Sequence, residues 1–253
     1  MLILLSPAKS FDFESPSTTE MVSEPDFLNE STRLIKKLGT FSKKKIGEMM
    51  SISTELAELN VARYQEWSPQ PKKENTKQAL LAFNGEVFRG LNAKEMTDED
   101  LQFAQQYLRI LSGLYGVLRP LDAIQPYRLE MGTKLKYYNY NNLYQFWGDK
   151  ITKRINADLG DSKAIINLAS TEYFKSVKLN KLNQKVITPI FKDFSNGDYK
   201  VLMTYAKNAR GAMTNYIIKN RITDPELIKS FDSNNYAFSP EHSDDDNWAF
   251  LRG

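Results

Sequence analysis

Apolar residues follow two different periods along the chain. Between residues 26 and 111 they recur mostly three and four positions apart, which predicts a helix-rich region. Between residues 163 and 205 they form short unbroken runs that predict buried strands, and Asn196-Gly197 separates two of these runs as a tight hairpin. A further apolar run at residues 2–5 predicts one more strand. Residues 207–253 predict C-terminal helices and an acidic tail.

Together these elements predict a single compact domain of mixed α/β, or α+β, class over residues 1–253. Hydrophobic residues make up 41% of the chain and charged residues 26%, which excludes disorder of the whole chain. No apolar run approaches the roughly 18 to 20 residues that span a bilayer, and the N-terminal run lacks the basic flank of a signal peptide. We therefore expect a cytoplasmic protein that does not contact a membrane.

The charged residues are segregated along the chain, although the net charge is only +3. Residues 31–45 carry six bases and no acid, and residues 172–221 carry ten bases and three acids. Residues 1–30 and 224–253 each carry a net charge of −5. Basic blocks of this kind favour a polyanion as partner, and the alternative is that they are solvated faces of helices and strands.

The scarcity of two residue types narrows the available chemistry. The chain has no Cys and a single His, His242, so thiol nucleophiles, iron–sulfur clusters and Cys-type zinc sites are excluded. Lys, Glu, Tyr and Arg remain as the reactive residues. The acidic run at residues 241–246 is typical of a solvated loop rather than a cation site, so we predict no metal site and no cofactor.

Polar residues follow three of the predicted strands directly. Ser6-Pro7-Ala8-Lys9 has the spacing of a serine acyltransferase motif, but Pro7 follows the strand at once and the companion motifs are missing. Because open α/β sheets bind ligands at the carboxyl ends of their strands, we predict a cleft there. Glu172 could instead form a structural salt bridge. The candidate catalytic residues are Lys9, Ser170, Glu172, Tyr173, Lys207 and Arg210.

Residues 101–122 resemble a helix-hairpin-helix element. An amphipathic helix runs into Ser112-Gly113, and Tyr115-Gly116 follows after one apolar residue. Two glycines would let a tight hairpin expose backbone N–H groups to a DNA phosphate. Arg109 and Arg119 flank the hairpin. The alternative is a capped helix followed by a structural turn.

Several longer motifs are similar to those of the YaaA family of bacterial peroxide-stress proteins. The resemblance runs from residue 1 to about residue 240, and its motifs lie at residues 2–9, 111–122, 125–132, 144–149, 167–177 and 205–211. It implies a bacterial cytoplasmic protein with the family's "cantaloupe" fold, a helix-hairpin-helix, a positively charged cleft and binding to double-stranded DNA. It also implies protection against peroxide by limiting free intracellular iron.

Two functions therefore stand against each other. The first is a peroxide-stress protein that binds double-stranded DNA largely without sequence specificity. The second is an enzyme of unknown reaction, with a small-molecule or nucleotide ligand in the cleft. Oligomeric state stays open. The residues predicted to contact DNA are Arg109, Ser112, Gly113, Tyr115, Gly116, Arg119, Arg128, Lys175, Lys207 and Arg210.

Overall fold

Twelve strands and ten α-helices make up the computed structural model, which describes all residues from 1 to 253. The strands are β1 (Leu2–Leu5), β2 (Ser10–Phe11), β3 (Lys77–Gln78), β4 (Phe83–Asn84), β5 (Leu108–Ser112), β6 (Gly116–Leu118), β7 (Ala123–Ile124), β8 (Ala164–Leu168), β9 (Lys185–Ser195), β10 (Asp198–Lys200), β11 (Ala237–Phe238) and β12 (Asn247–Arg252). The helices are α1 (Leu28–Leu38), α2 (Lys43–Met50), α3 (Thr54–Glu66), α4 (Ala79–Ala82), α5 (Glu86–Leu91), α6 (Asp98–Tyr107), α7 (Leu143–Trp147), α8 (Lys150–Asp158), α9 (Thr171–Phe174) and α10 (Met203–Lys219).

One eight-stranded mixed sheet organises the domain. Its order is β11-β12-β9-β8-β1-β5-β6, and β10 pairs with β9 outside this path. The five strands from β12 to β5 are parallel to one another. The central strand β1 is completely buried and all four of its residues are apolar, as is usual for a strand inside a parallel sheet. The predicted α+β class and single domain are confirmed.

The register of the central strands determines where the polar segments emerge. Leu5, the last residue of β1, pairs with Leu168 of β8 and Ile110 of β5. The chain after β1 and the chain after β8 therefore leave the sheet side by side. Carboxyl ends of parallel strands share one edge, which is the usual place for a ligand in an open α/β sheet.

Helix starts follow the capping residues that the sequence contains. Ser42 and Ser53 accept hydrogen bonds from Lys45 N and Leu56 N, each at 3.3 Å. Thr97 and Asp100 form a reciprocal capping box at the start of α6. Such side chains satisfy backbone N–H groups that have no partner within the helix. No helix is both long and apolar enough to cross a membrane.

The helix-hairpin-helix prediction is wrong. Helix α6 ends at Tyr107, and the following residues form an antiparallel β-hairpin in which Ile110 pairs with Leu118. The apolar residues at 108–111 fit both a helix and a buried strand, and parallel pairing of β5 with β1 selects the strand. Gly116 does have a positive φ of 71°, but its Cα faces the Trp147 ring, so the glycine serves packing rather than phosphate contact.

The residues of this hairpin belong to the core. Ser112, Leu114 and Tyr115 are at most 1% exposed. Tyr115 Oη accepts hydrogen bonds from Trp67 Nε1 at 2.9 Å and from Gln125 N at 3.2 Å. Burial raises the pKa of Tyr115 to about 12, so this hydroxyl stays neutral. No backbone N–H of the hairpin is open to a DNA phosphate.

The acidic tail is more ordered than its composition predicts. Asp244 Oδ1 accepts hydrogen bonds from Asp246 N at 2.9 Å and Asn247 N at 2.7 Å, which turns the chain into β12. Strand β12 then pairs in parallel with β9 and extends the main sheet. The tail therefore contributes an inner strand that the charge pattern does not predict. No group of three or more His, Asp or Glu side chains is placed to hold a metal ion.

Candidate functional site

A polar pocket of about 270 Å³ lies at the carboxyl ends of β1 and β8. Segments after both strands, the start of α5 and one face of α10 form its walls. Its lining includes all six side chains that the sequence nominates for catalysis: Lys9, Ser170, Glu172, Tyr173, Lys207 and Arg210. The fold therefore brings together residues that are up to 201 positions apart in sequence.

Two serine hydroxyls join the strand ends at the base of the pocket. Ser6 Oγ accepts the Ser170 backbone N–H at 2.8 Å and lies 3.2 Å from Ser170 Oγ, to which it donates. Ser6 is buried and Ser170 is half-buried. Because the Ser6 hydroxyl uses its proton in this contact, Ser170 keeps its own proton for a bound molecule.

Two cations enter the pocket from α10. Lys207 and Arg210 are three residues apart, so they project from the same side of the helix. Neither side chain forms an ion pair or a hydrogen bond with another residue, and burial lowers the pKa of Arg210 with no carboxylate to oppose it. Arg210 is half-buried and Lys207 is exposed. A half-buried guanidinium without a partner is costly, and an anion would offset that cost.

Close packing of α5 against α10 holds Arg210 in position. A Cβ on Gly211 would lie 1.8 Å from Val87 O, and a Cβ on Gly90 would lie 2.1 Å from Asn208 O. Only glycine permits this separation of the two backbones. Gly90 thus serves the contact between the two helices, whereas Gly85 lines the pocket.

Two carboxylates line the same pocket as these cations. Glu130 is held by Lys9 Nζ at 2.7 Å and by Arg128 Nη2 at 3.0 Å. Glu172 Oε1 accepts the backbone N–H of Gly132 at 2.8 Å, which leaves Oε2 without a protein donor. The predicted alternative for Glu172, a structural salt bridge, is wrong, because no Lys or Arg pairs with it.

The Tyr173 hydroxyl belongs to the same wall. Its side chain is 8% exposed, and burial, together with the nearby Tyr127, Glu172 and Glu130, raises its pKa well above the ordinary value. Tyr173 therefore stays protonated, and its neutral hydroxyl can donate a hydrogen bond to a ligand.

Most residues predicted to contact DNA lie elsewhere. Arg109 is buried and its Nε lies 2.6 Å from Asp158 Oδ2, so it cannot reach a ligand. Arg119 is committed to Asp122, and Arg128 to Glu130. Lys175 is exposed outside the pocket. The residues predicted for DNA that do line the pocket are Lys207 and Arg210.

Three pocket residues escape prediction from the sequence. Ser6 ends the first predicted strand, Glu130 lies in the motif at residues 125–132, and Glu86 directly follows Gly85. Each of these stretches contains charged residues beside glycine or proline. Only the fold shows that they meet at one strand edge.

The sequence is similar to known proteins over its whole length. A family model described as "Peroxide stress protein YaaA" matches residues 1–242. The chain belongs to the YaaA family. It is 51% identical to a UPF0246 protein of Ralstonia pickettii over 100% of this chain and 99% of the relative. It is equally identical to a UPF0246 protein of Dechloromonas aromatica, and 50% identical to one of Colwellia psychrerythraea, with the same coverage.

The match to the family model covers nearly the whole chain. The match includes β1, the hairpin, β8 and α10, and thus every element that lines the pocket. The predicted resemblance to this family is confirmed.

Proposed function

We propose that this YaaA-family protein is an enzyme that binds a small organic anion in the strand-end pocket. One observation carries the proposal: Lys207 and Arg210 share a small pocket and have no counter-ion in the protein. An unpaired guanidinium in a half-buried position favours an anionic ligand, because the ligand replaces the solvation that burial removes, and the exposed Lys207 adds a second positive charge beside it.

The remaining groups suit acid–base chemistry on that ligand. Glu172 has one carboxylate oxygen fixed by Gly132 N, so its other oxygen is oriented as a proton acceptor. Tyr173 and Ser170 supply hydroxyl protons on the same wall. In this proposal Glu172 is the base, Tyr173 hydrogen-bonds an oxygen on which negative charge develops, and Arg210 holds the anionic group.

The size of the pocket favours a small molecule over a nucleic acid. Ligand pockets for drug-sized molecules span about 300 to 1,000 Å³, and this pocket, at about 270 Å³, lies just below that range. A DNA duplex cannot enter it. Only a flexible end or a free metabolite fits between α10 and the strand ends.

Thermal unfolding with inorganic phosphate as probe tests the binding step. A ligand that binds the folded state raises the melting temperature with concentration, and the rise is a measure of affinity. We expect phosphate to raise Tm in the wild type and in Lys72→Gln, an exposed control, but much less in Arg210→Gln. Equal rises in wild type and Arg210→Gln would contradict the proposal.

A second candidate function, duplex DNA binding, is favoured by a different surface. Lys36, Lys44 and Lys45 on α1 and α2 are exposed and lack a carboxylate partner, whereas Lys43 pairs with Glu58 at 3.2 Å. Arg33, which lies near these lysines in sequence, has its guanidinium carbon 5.4 Å from the centroid of the Tyr137 ring. Such a basic face binds phosphates without reading bases.

The salt dependence of DNA affinity separates the two functions. If the α1–α2 face binds DNA, the triple variant Lys36→Gln, Lys44→Gln, Lys45→Gln should lower both the affinity and the slope of log K against log salt, by about one per lysine. Arg210→Gln should leave both unchanged. A triple variant that binds DNA like the wild type would rule out this face.

The predicted link to iron concerns the level of free iron in the cell, not iron bound in the pocket. We propose that it depends on the reaction in the strand-end pocket. We expect a deletion strain to contain more chelatable iron than the wild type, measured by whole-cell EPR, and complementation with Arg210→Gln to leave that level unchanged. Full complementation by Arg210→Gln would separate the iron role from the pocket.

A further inference from the structure

The charges of the pocket do not cancel once each pair is accounted for. Three cations and three carboxylates line it. Glu86 is taken by Arg89, which lies outside the lining, and Glu130 by Lys9 and Arg128. Lys207, Arg210 and Glu172 remain. Two positive charges thus lie on α10 and one negative charge on α9, the short helix after β8.

The α10 side favours a dianionic group. A phosphate monoester carries about −1.5 to −2 charges at neutral pH and offers three acceptor oxygens. A guanidinium and an ammonium three residues apart on one helix face supply donors for at least two of those oxygens. A single carboxylate would leave one of the two cations without a counter-ion.

The Glu172 side chain favours a neutral hydrogen-bond donor on the ligand. Glu172 Oε2 has no protein donor, and a carboxylate can only accept hydrogen bonds. An amine would also satisfy it, but an amine would be repelled by Lys207, Arg210 and Lys9. A hydroxyl group satisfies Glu172 without adding positive charge, and Ser170 provides a further hydroxyl partner.

The volume of the pocket limits the size of the ligand. The pocket measures about 270 Å³, and three of its fifteen lining residues are hydrophobic. Pockets for drug-sized ligands span about 300 to 1,000 Å³, so the ligand here is smaller than a typical drug-sized molecule.

We infer that the ligand is a small phosphorylated polyhydroxy compound of the sugar-phosphate class. Its phosphate lies against Lys207 and Arg210, and one of its hydroxyls donates to Glu172 Oε2. This inference rests on the proposed function, since it specifies which organic anion the same pocket takes. Glu172 then selects the ligand by its hydroxyl, and Arg210 by its phosphate.

Titration calorimetry with three probes tests this assignment. The probes are inorganic phosphate, ribose 5-phosphate and ribose. We expect ribose 5-phosphate to bind wild type at least about tenfold more tightly than phosphate, because a hydrogen bond to a charged acceptor is worth that much. Ribose alone should not bind measurably, because it lacks the group that Arg210 and Lys207 recognise.

Two pocket variants assign the gain to particular side chains. Glu172→Gln keeps an amide oxygen for Gly132 N, so the loop stays anchored, but it loses the charged acceptor. It should remove most of the tenfold advantage of ribose 5-phosphate and leave phosphate affinity unchanged. Arg210→Gln should weaken both phosphate-bearing probes about tenfold. Glu48→Gln, on the exposed face of α2, is the matched control and should bind like the wild type.

The outcomes distinguish the two proposals. Equal binding of phosphate and ribose 5-phosphate by wild type would overturn the polyhydroxy assignment but leave the anion pocket intact. Binding of ribose as tight as that of ribose 5-phosphate would also overturn it. Undetectable binding of both phosphate-bearing probes, or binding unaffected by Arg210→Gln, would overturn the proposed function itself.

Discussion

Arg109 and Arg210 are both withdrawn from solvent, but their surroundings differ completely. Arg109, on the hairpin strand β5, donates to Asp158 Oδ2 at 2.6 Å and to the carbonyl oxygens of Gln105 and Leu108 at 2.9 and 2.7 Å. Arg210, on α10, has no protein acceptor, and burial alone lowers its pKa. The first arginine completes a structural network, and the second leaves its donors open to the pocket.

This contrast explains why charge alone did not locate the functional site. Both arginines lie in motifs that the sequence nominates for phosphate binding, and a glycine follows each of them within four residues. Only the distribution of carboxylates in the fold separates them. A half-buried basic side chain indicates a ligand site when no carboxylate of the protein pairs with it.

The largest expected effect comes from removing the partner of Arg109. Asp158→Asn leaves the buried guanidinium of Arg109 without a negatively charged partner. This should lower the free energy of unfolding by about 3–5 kcal/mol. Arg210→Gln should change it little or raise it, because that guanidinium has no partner to lose. Urea denaturation of the two variants measures both values. A similar loss of stability in the two would show that Arg210 is also structural.

The exposed pair between Asp149 and Lys181 is the control for this comparison. Its oxygen and nitrogen atoms are 2.5 Å apart, but solvent screens the interaction. Asp149→Asn should therefore unfold within experimental error of the wild type.

A smaller effect is expected from disturbing the helix that carries Arg210. A Cβ on Gly211 would lie 1.8 Å from Val87 O, so Gly211→Ala must separate α10 from α5 and should cost about 1–3 kcal/mol of stability. It should also weaken phosphate binding, since Arg210 shifts with the helix. Gly39→Ala, where a Cβ meets nothing closer than 3.4 Å and φ is −63°, is the control. Unchanged phosphate affinity in a folded Gly211→Ala protein would contradict the role of this packing.

The smallest effect concerns the far end of α10. Burial alone would raise the pKa of Asp100, but hydrogen bonds from Lys219, at 2.5 Å, and Arg221 lower it to about 2. A carboxyl whose pKa is depressed in the folded state stabilises the protein above its unfolded pKa and loses this contribution as pH falls through the folded value. We expect the wild type to lose more stability than Asp100→Asn between about pH 4 and pH 2. Parallel pH profiles of the two proteins would show that this anchor does not hold α10.

Much of the sheet could be predicted from sequence, because its strands are short and apolar throughout. The runs at 2–5 and 164–168 became β1 and β8, and Asn196-Gly197 is the predicted turn, with φ values of 54° and 81°. The apolar run at 108–111 fits both the helix period and the strand period, and pairing with the neighbouring strand β1 selects the strand. Strand β12 was missed because acidic residues precede it and its partner β9 lies far away in sequence.

Several residues of the pocket could be predicted from the sequence, but the ion pairs among its charged side chains could not. Strand ends identified Lys9 and Glu172 by position, since parallel strands gather their carboxyl ends. Lys207 was predicted from a strand over residues 200–205 that is wrong, because β10 ends at Lys200, runs antiparallel to β9, and α10 already begins at Met203. The sequence does not show that Glu130 neutralises Lys9, or that nothing neutralises Arg210. Those facts depend on contacts between segments that are 80 or more residues apart, and the ligand class follows from them.

A crystal structure of the protein soaked with tungstate, an electron-dense analogue of phosphate, tests the central claim most directly. The account predicts an anomalous peak within hydrogen-bond distance of the Arg210 guanidinium and the Lys207 ammonium in wild-type crystals, and its loss in Arg210→Gln crystals. Tungstate bound only along the exposed lysines of α1 and α2, with none beside Arg210, would contradict it.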